Sequence, residues 1–232
     1  MSAETPRDRL IVAIDGPAGA GKSTIARLCA KDLGYTYIDT GAMYRAVGLV
    51  ARQRGVPLDD GPALASLVAA LTFDFPWIDG ELHTVVDGRD VSAPIRTDQG
   101  ARDASMVSKG AEVRSALVAT QRQLGAEGGV VMEGRDIGTV VFPDAELKVY
   151  LTASVQVRAE RRYQQQRSRG VEADLAAITA AIGARDLQDQ TRDVSPLRQA
   201  GDAVLLDTTG LDIDGVLTEL RRLVAGRSPA VP

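Results

Sequence analysis

The chain has 232 residues, 44% of them hydrophobic, a formal net charge of −4 and a single cysteine. That length and apolar content can bury a full core, as one large domain or a core with small attachments. The acidic balance argues against a nucleic-acid polymer as partner, because a coating of basic residues would be needed to meet its phosphates, and Cys29 alone excludes a disulfide framework or a cysteine-built metal site.

Met1 to Arg9 is polar without an apolar signal segment, and no later run approaches the length of a membrane span. The expectation is a cytoplasmic, soluble monomer with no membrane partner, its residues 1–8 and 227–232 disordered. The apolar run Leu10 to Ile14 reads as a buried strand. It leads into Gly16-Pro17-Ala18-Gly19-Ala20-Gly21-Lys22-Ser23-Thr24, which matches the G-x-x-x-x-G-K-[ST] pattern of a phosphate loop between strand and helix. Bulkier residues at Gly16 and Gly21 would keep backbone N–H groups away from phosphate oxygens. Lys22 supplies a point charge to the β- and γ-phosphates and the Ser23 hydroxyl is placed to ligate Mg2+. The start of helix Lys22 to Leu33 adds the positive end of its dipole. A second strand, Tyr35 to Ile38, meets Asp39-Thr-Gly-Ala-Met-Tyr-Arg45, where Thr40 can cap helix Ala42 to Arg54 and Arg45 sits in the early turns. Such a terminus invites a second anion, although an ordinary capped helix with an exposed Arg gives the same pattern.

Between Asp59 and Asp98 the alternation of strand and helix breaks. Helix Pro62 to Leu71 is followed by Thr72-Phe-Asp-Phe75 and by Leu82 to Val91, with a hairpin-type turn at Asp87-Gly88, which predicts an inserted, partly β subdomain. Two helical pieces fill 101–126. Nine residues at about 100° each put Ser105 and Arg114 on opposite helix faces, so if both face one ligand the helix must break between them, and Ser108-Lys-Gly110 offers the break. After strand Val130 to Met132, the segment Met132-Glu-Gly-Arg-Asp-Ile-Gly-Thr139 sets Arg135 and Asp136 just past a strand's carboxyl end, where ligands bind in open parallel sheets. Strands Leu147 to Leu151 and Val204 to Leu206, with helices Val155 to Gln166, Leu175 to Asp189 and Ile213 to Val224, complete an α/β pattern: a parallel five-stranded sheet flanked by helices. Arg158, Arg161 and Arg162 share one face and run into the polar stretch Gln164 to Gly170, as in an arginine-bearing flap or a solvated helix end. Arg185, Asp189 and Arg192, at i, i+4 and i+7, also share a face, with a solvent-exposed Arg–Asp pair as the competing explanation.

GTPases, ATP-driven motors and small-molecule kinases all use a phosphate cradle, so accessory residues must separate them. No Asn-Lys-x-Asp guanine reader is present, and Asp207-Thr-Thr-Gly210 comes too late in the chain for the D-x-x-G of a GTPase. Ala203-Val-Leu-Leu-Asp207 fits only loosely the acidic residue that a motor ATPase needs after a strand. Lys22 at one helix N-terminus and Arg45 near another suggest two phosphate sites, as when one phosphate group is passed to another. Of the 27 basic residues 23 are Arg, which suits bidentate capture of phosphate, although a GC-rich genome would give the same bias.

With these residues the sequence closely resembles the bacterial cytidylate kinases, P-loop nucleoside-monophosphate kinases that move the γ-phosphoryl of ATP to CMP or dCMP. The likeness runs from Ile14-Asp-Gly-Pro17 through Thr40-Gly-Ala-Met-Tyr-Arg45, Asp90-Val-Ser92 and Ile95-Arg96 to Gly134-Arg-Asp-Ile-Gly-Thr-Val-Val-Phe-Pro-Asp144 and Arg185-Asp186. The resemblance implies a kinase core of 9–59 and 99–226, an inserted monophosphate-binding subdomain at 60–98, and a lid at 158–172. It implies that Gly16 to Thr24 bind ATP, with Mg2+ on Ser23. Ser105, Arg114 and Asp136 would read the cytosine edge, since a carboxylate accepts from the exocyclic N4 amine whereas uracil presents an O4 acceptor there. Thr40 and Tyr44 fall in the same CMP site, Arg45, Arg135 and Arg192 would hold the acceptor phosphate, and Arg185 with Asp189 the pentose hydroxyls. Catalysis would rest on Lys22, Arg135, Arg158, Arg162 and Arg192, with Arg158, Arg162 and Arg161 or Arg167 closing over the donor phosphates. Thr40, where Ser is also common, and Leu187-Gln188 depart from the family pattern. No covalent nucleophile or histidine base is called for, and the only histidine, His83, lies in the insert. The alternatives are another P-loop small-molecule kinase, acting on a different monophosphate or a shikimate-like substrate, and a nucleotide-dependent switch.

Overall fold

The structure, a computed structural model, describes residues 9–168 and 170–227. In chain order the elements are β1 (Ile11–Asp15), α1 (Lys22–Leu33), β2 (Thr36–Asp39), α2 (Thr40–Arg54) and α3 (Gly61–Ala69). Five two-residue strands follow: β3 (Phe73–Asp74), β4 (Trp77–Ile78), β5 (Glu81–Leu82), β6 (Val85–Val86) and β7 (Arg89–Asp90). Then come α4 (Asp98–Val107), α5 (Ala111–Leu124), β8 (Val130–Gly134), β9 (Leu147–Thr152), α6 (Val155–Ser168), α7 (Leu175–Thr191), β10 (Val204–Asp207) and α8 (Ile213–Ala225). The segments 1–8 and 228–232, expected to be disordered, lie outside the described residues. Arg227 is described, its amide bonded back to the Val224 carbonyl.

A five-stranded parallel sheet takes the order β10-β9-β1-β8-β2. Its central strand, β1, pairs in parallel with β8, Ile11 opposite Val130, and with β9, Val12 opposite Leu147. A strand covered on both faces has no reason to alternate in polarity, and Ile11, Val12, Ala13 and Ile14 are all buried. The chain forms two compact units, Met1–Tyr35 with Glu127–Pro232 and Thr36–Ala126. In the first, α1 packs on α8 and α6 on α7. Gly34, in the left-handed region with φ 63°, closes α1 by donating to the carbonyls of Ala30 and Lys31.

In the second unit α2 starts at Thr40, two residues earlier than the sequence suggests, because Asp39 rather than Thr40 is its cap. The Asp39 Oδ1 accepts from the Ala42 amide at 3.0 Å. Between β4 and β5, and again between β6 and β7, the chain turns on an Asp-Gly pair with both residues at positive φ: Asp79 and Gly80 at 52° and 79°, Asp87 and Gly88 at 49° and 73°. Two such residues make the mirror-image turn that matches strand twist, and the Asp79-Gly80 turn is an addition to the expected one. Helices α4 and α5 are separate, and the break falls at 108–110, where Ser108-Lys-Gly110 offers it. Helix α2 packs on α4, where Arg52 forks onto buried Asp103 at 2.6 and 2.7 Å.

Candidate active site

The phosphate loop leaves β1 at Gly16, whose φ is 149° and whose missing side chain matters. A Cβ there would strike the Leu151 carbonyl. The loop ends at Gly21, the left-handed N-cap of α1, so the first amides of that helix are left for an anion. Lys22 is buried and its Nζ donates to the Pro17 carbonyl at 2.8 Å. Burial, then the nearby Arg135, bring its pKa down to about 7. A cleft of about 970 Å3 opens beside the loop. It is lined by Ala18 to Ile25, by Arg161, Arg162 and Arg185, and by an apolar group that includes Ile178, Ile182, Leu211 and Ile213, and its volume suits a nucleotide.

Just before Gly16 stands Asp15, a buried carboxylate that ends the apolar run of β1. Its two oxygens accept from the amides of Ile137 and Gly138, each at 2.8 Å, across 122 and 123 residues of sequence. Burial pushes its pKa up to about 6, against the pull of those two amides. The anchored amides open a single π turn, Ile137–Val141, immediately after Arg135 and Asp136. In the sequence Asp15 stands out only as part of Ile14-Asp-Gly-Pro17, and its tie to Ile137 and Gly138 is visible only in the fold.

Arg135 donates from Nε to Asp189 Oδ2 at 2.8 Å. Arg185 and Arg192 approach the same carboxylate at 3.7 and 4.0 Å, and Arg192 lies 3.8 Å from Asp136. The structure thus brings together Arg135, Asp136, Arg185, Asp189 and Arg192 within the first unit. Burial pushes the Asp189 carboxyl up, but the guanidinium groups of Arg135, Arg185 and Arg192 outweigh it and hold the pKa below the usual range. Three guanidinium charges on two carboxylates leave a net positive surface with arginine forks, the chemistry that receives a phosphate.

Helix α6 divides along its length. Arg158, expected at the donor phosphates, is buried against the phosphate loop. Its Nε donates to the Ala153 carbonyl at 2.9 Å, and one Nη donates to the Ala18 carbonyl at 3.0 Å, while the guanidinium forks onto Asp186 at 3.0 and 2.6 Å. Arg161 donates to the Thr208 hydroxyl and carbonyl, at 3.0 and 2.8 Å, and reaches the Ala20 carbonyl at 3.5 Å. Arg162 and Arg167 are exposed, the second set over the Tyr163 ring at 5.8 Å. No local periodicity marks the roles of Asp186 and Thr208, since both contacts join segments distant in sequence.

In the second unit Arg45 donates to Asp39 Oδ2 at 2.7 Å, so the residue that caps α2 also aims the arginine of its second turn. The Arg45 Nε is buried and lacks an acceptor, as a donor kept for an anion would be. Buried Arg114 lies 5.7 Å from the centre of the Tyr44 ring, which joins two of the expected residues. Thr40 is buried in the first turn of α2, and Ser105 is half-buried near the end of α4.

A parallel sheet whose central strand feeds a lysine-bearing glycine loop, with a half-buried arginine cluster in the same unit, defines a P-loop phosphotransferase. The family described as cytidylate kinase matches residues 12–225, and the chain belongs to that family. It is 50% identical over 218 residues to a cytidylate kinase of Exiguobacterium sibiricum, covering 94% of this chain and 98% of that one. To a cytidylate kinase of Geobacter sulfurreducens it is 47% identical over 226 residues, 97% of each chain. Among solved structures, an uncharacterized protein from Eubacterium ventriosum shares the fold with a TM-score of 0.53 at 11% identity, covering 94% of this chain and all of that one. Among the described residues no helix is long and apolar enough to cross a membrane.

Proposed function

We propose that the protein is a cytoplasmic, monomeric kinase that transfers the γ-phosphoryl group of ATP to CMP or dCMP, giving CDP or dCDP. Membership of the cytidylate kinase family supports the substrate class. The single structural observation that carries the chemistry is the convergence of Arg135, Arg185 and Arg192 on Asp189, close enough to Lys22 for Arg135 to depress its pKa. A loop for a triphosphate and an arginine cluster for a second phosphate then belong to one compact unit.

In this reading Gly16 to Thr24 cradle the donor, and Lys22 leaves the Pro17 carbonyl for the β- and γ-phosphates. Arg45, Arg135 and Arg192 grip the acceptor phosphate, Arg185 and Asp189 take the pentose, Ser105, Arg114 and Asp136 read the base, and Thr40 and Tyr44 belong to the same CMP site. Asp136 accepts the cytosine amine, which discriminates against uracil. The attacking oxygen is already an anionic phosphate oxygen, so the protein's part is to align two nucleotides, exclude water and offset charge. Bound with ATP, Mg2+ would neutralise charge between the phosphates. Ser23, exposed in the first turn of α1, offers it one hydroxyl, and among the described residues no cluster of three or more His, Cys, Asp or Glu could hold a metal. That donor set fits an ion whose remaining ligands are phosphate oxygens and water.

Residues 9–59 and 99–226 would form the kinase core, 60–98 the monophosphate-binding insert and 158–172 the lid. Arg162 and Arg167 would close over the donor phosphates, with Arg158 bearing on the loop from beneath. An ADP-release assay with CMP, dCMP, UMP, AMP and shikimate in turn tests the whole reading. CMP and dCMP should stand well above the rest; a preference for another acceptor, or turnover with none, overturns it.

A further inference from the structure

Asp186 lies one residue past the arginine of the 185–192 face, yet its side chain turns to Arg158 of α6. Its carboxylate takes both arms of Arg158, and the two side chains are almost wholly buried, with exposures of 13% and 4%. A buried guanidinium without its counter-charge is costly, so this pair holds Arg158 in one rotamer. In that rotamer Arg158 donates to Ala153 at the end of β9 and to the carbonyl of Ala18 in the phosphate loop. Across a trans peptide the C=O and the following N–H point opposite ways. Fixing the Ala18 carbonyl on the Arg158 side therefore turns the Gly19 amide to the other side, where the phosphates would lie. Gly19 confirms how closely the loop rests on this support: a Cβ there would come within 3.2 Å of the Arg158 Cβ, at a φ of 78°.

We propose that Asp186 is a positioning residue of the donor site, acting through Arg158 to hold the outer limb of the phosphate loop with its Gly19 amide turned to the triphosphate. The proposal rests on the reading of that loop as the ATP site. Asp186→Asn keeps the shape of the side chain but replaces a two-acceptor carboxylate with one acceptor and one donor, which breaks the fork on Arg158.

Steady-state kinetics and calorimetric ATP binding on the full chain test it, with thermal melting measured alongside. In Asp186→Asn, the KM for ATP and the dissociation constant for ATP should rise about ten-fold, the magnitude of one lost charge-assisted bond, while the KM for CMP stays within about two-fold. In an Arg158→Met background, Asp186→Asn should add less than a two-fold change, because its route is already cut. KM values for both nucleotides that rise together, effects that multiply across the two variants, or ATP binding unchanged in Asp186→Asn would each overturn the proposal. Because ATP binding is read without an acceptor, failure of CMP as substrate would sink the functional reading and leave this one standing or falling on its own measurement.

Discussion

The two arginine sites are built in different ways. In the first unit Arg135 is held by buried Asp189, 54 residues away, inside a group that also draws in Arg185, Arg192 and Asp136, and its loop is pinned from β1 by Asp15. In the second unit Arg45 is aimed by Asp39, six residues away, the same side chain that starts its helix. The first arrangement depends on the tertiary fold and is shared among many partners. The second is local and exists as soon as α2 forms. Loss of a member of the first should therefore be felt by the whole group, whereas loss of Asp39 should be felt by Arg45 and by the end of one helix.

The largest effect that sharpens this contrast is expected from Lys22→Ala or Arg135→Ala, which should lower kcat/KM by about 10^2 to 10^3-fold, the scale for removing a preorganised donor at developing charge. Circular dichroism should show the fold retained, and near-normal turnover in either variant would remove these residues from the chemistry. Asp39→Ala should do less: a rise in the KM for CMP of about ten-fold, and about 1 kcal/mol of stability lost with the helix cap, read from kinetics and thermal melts. If Asp39→Ala cost as much as Arg135→Ala, the local site would be as deeply integrated as the buried one. The smallest effect concerns protons. With its pKa brought down to about 7, Lys22 is mostly neutral at pH 8 in the free protein, and a bound triphosphate favours the charged form. Magnesium-ATP binding at pH 8 should then take up a proton, most of one at most, and the uptake should fade as the pH falls through 7. Calorimetry in buffers of different ionisation enthalpy measures it, and equal heats in all of them would contradict it.

Strand and helix identities were legible because their signals are local. Helix α1 runs over Lys22–Leu33, starting where its glycine loop indicates, and the apolar runs mark all five strands of the main sheet to within a residue or two. Asp39 is not distinguished as the cap in the sequence because Thr40 beside it is a comparable cap by type, and only the side-chain bond to Ala42 decides. The five short strands of the insert were read as two segments, since two residues are too few to show a period. Arg185, Asp189 and Arg192 were visible as a face, but not their meeting with Arg135, which needs β8 and α7 brought together. Arg158 and Arg162 look alike in sequence, and burial alone separates them.

Asp15 carries a mechanical consequence. One carboxylate at the root of the glycine loop also tethers the backbone behind Arg135 and Asp136, so under the proposed function the donor loop and part of the acceptor site would hang from one side chain. In that reading any closure over the donor would fall to side chains this tether does not reach, the exposed Arg162 and Arg167 of α6.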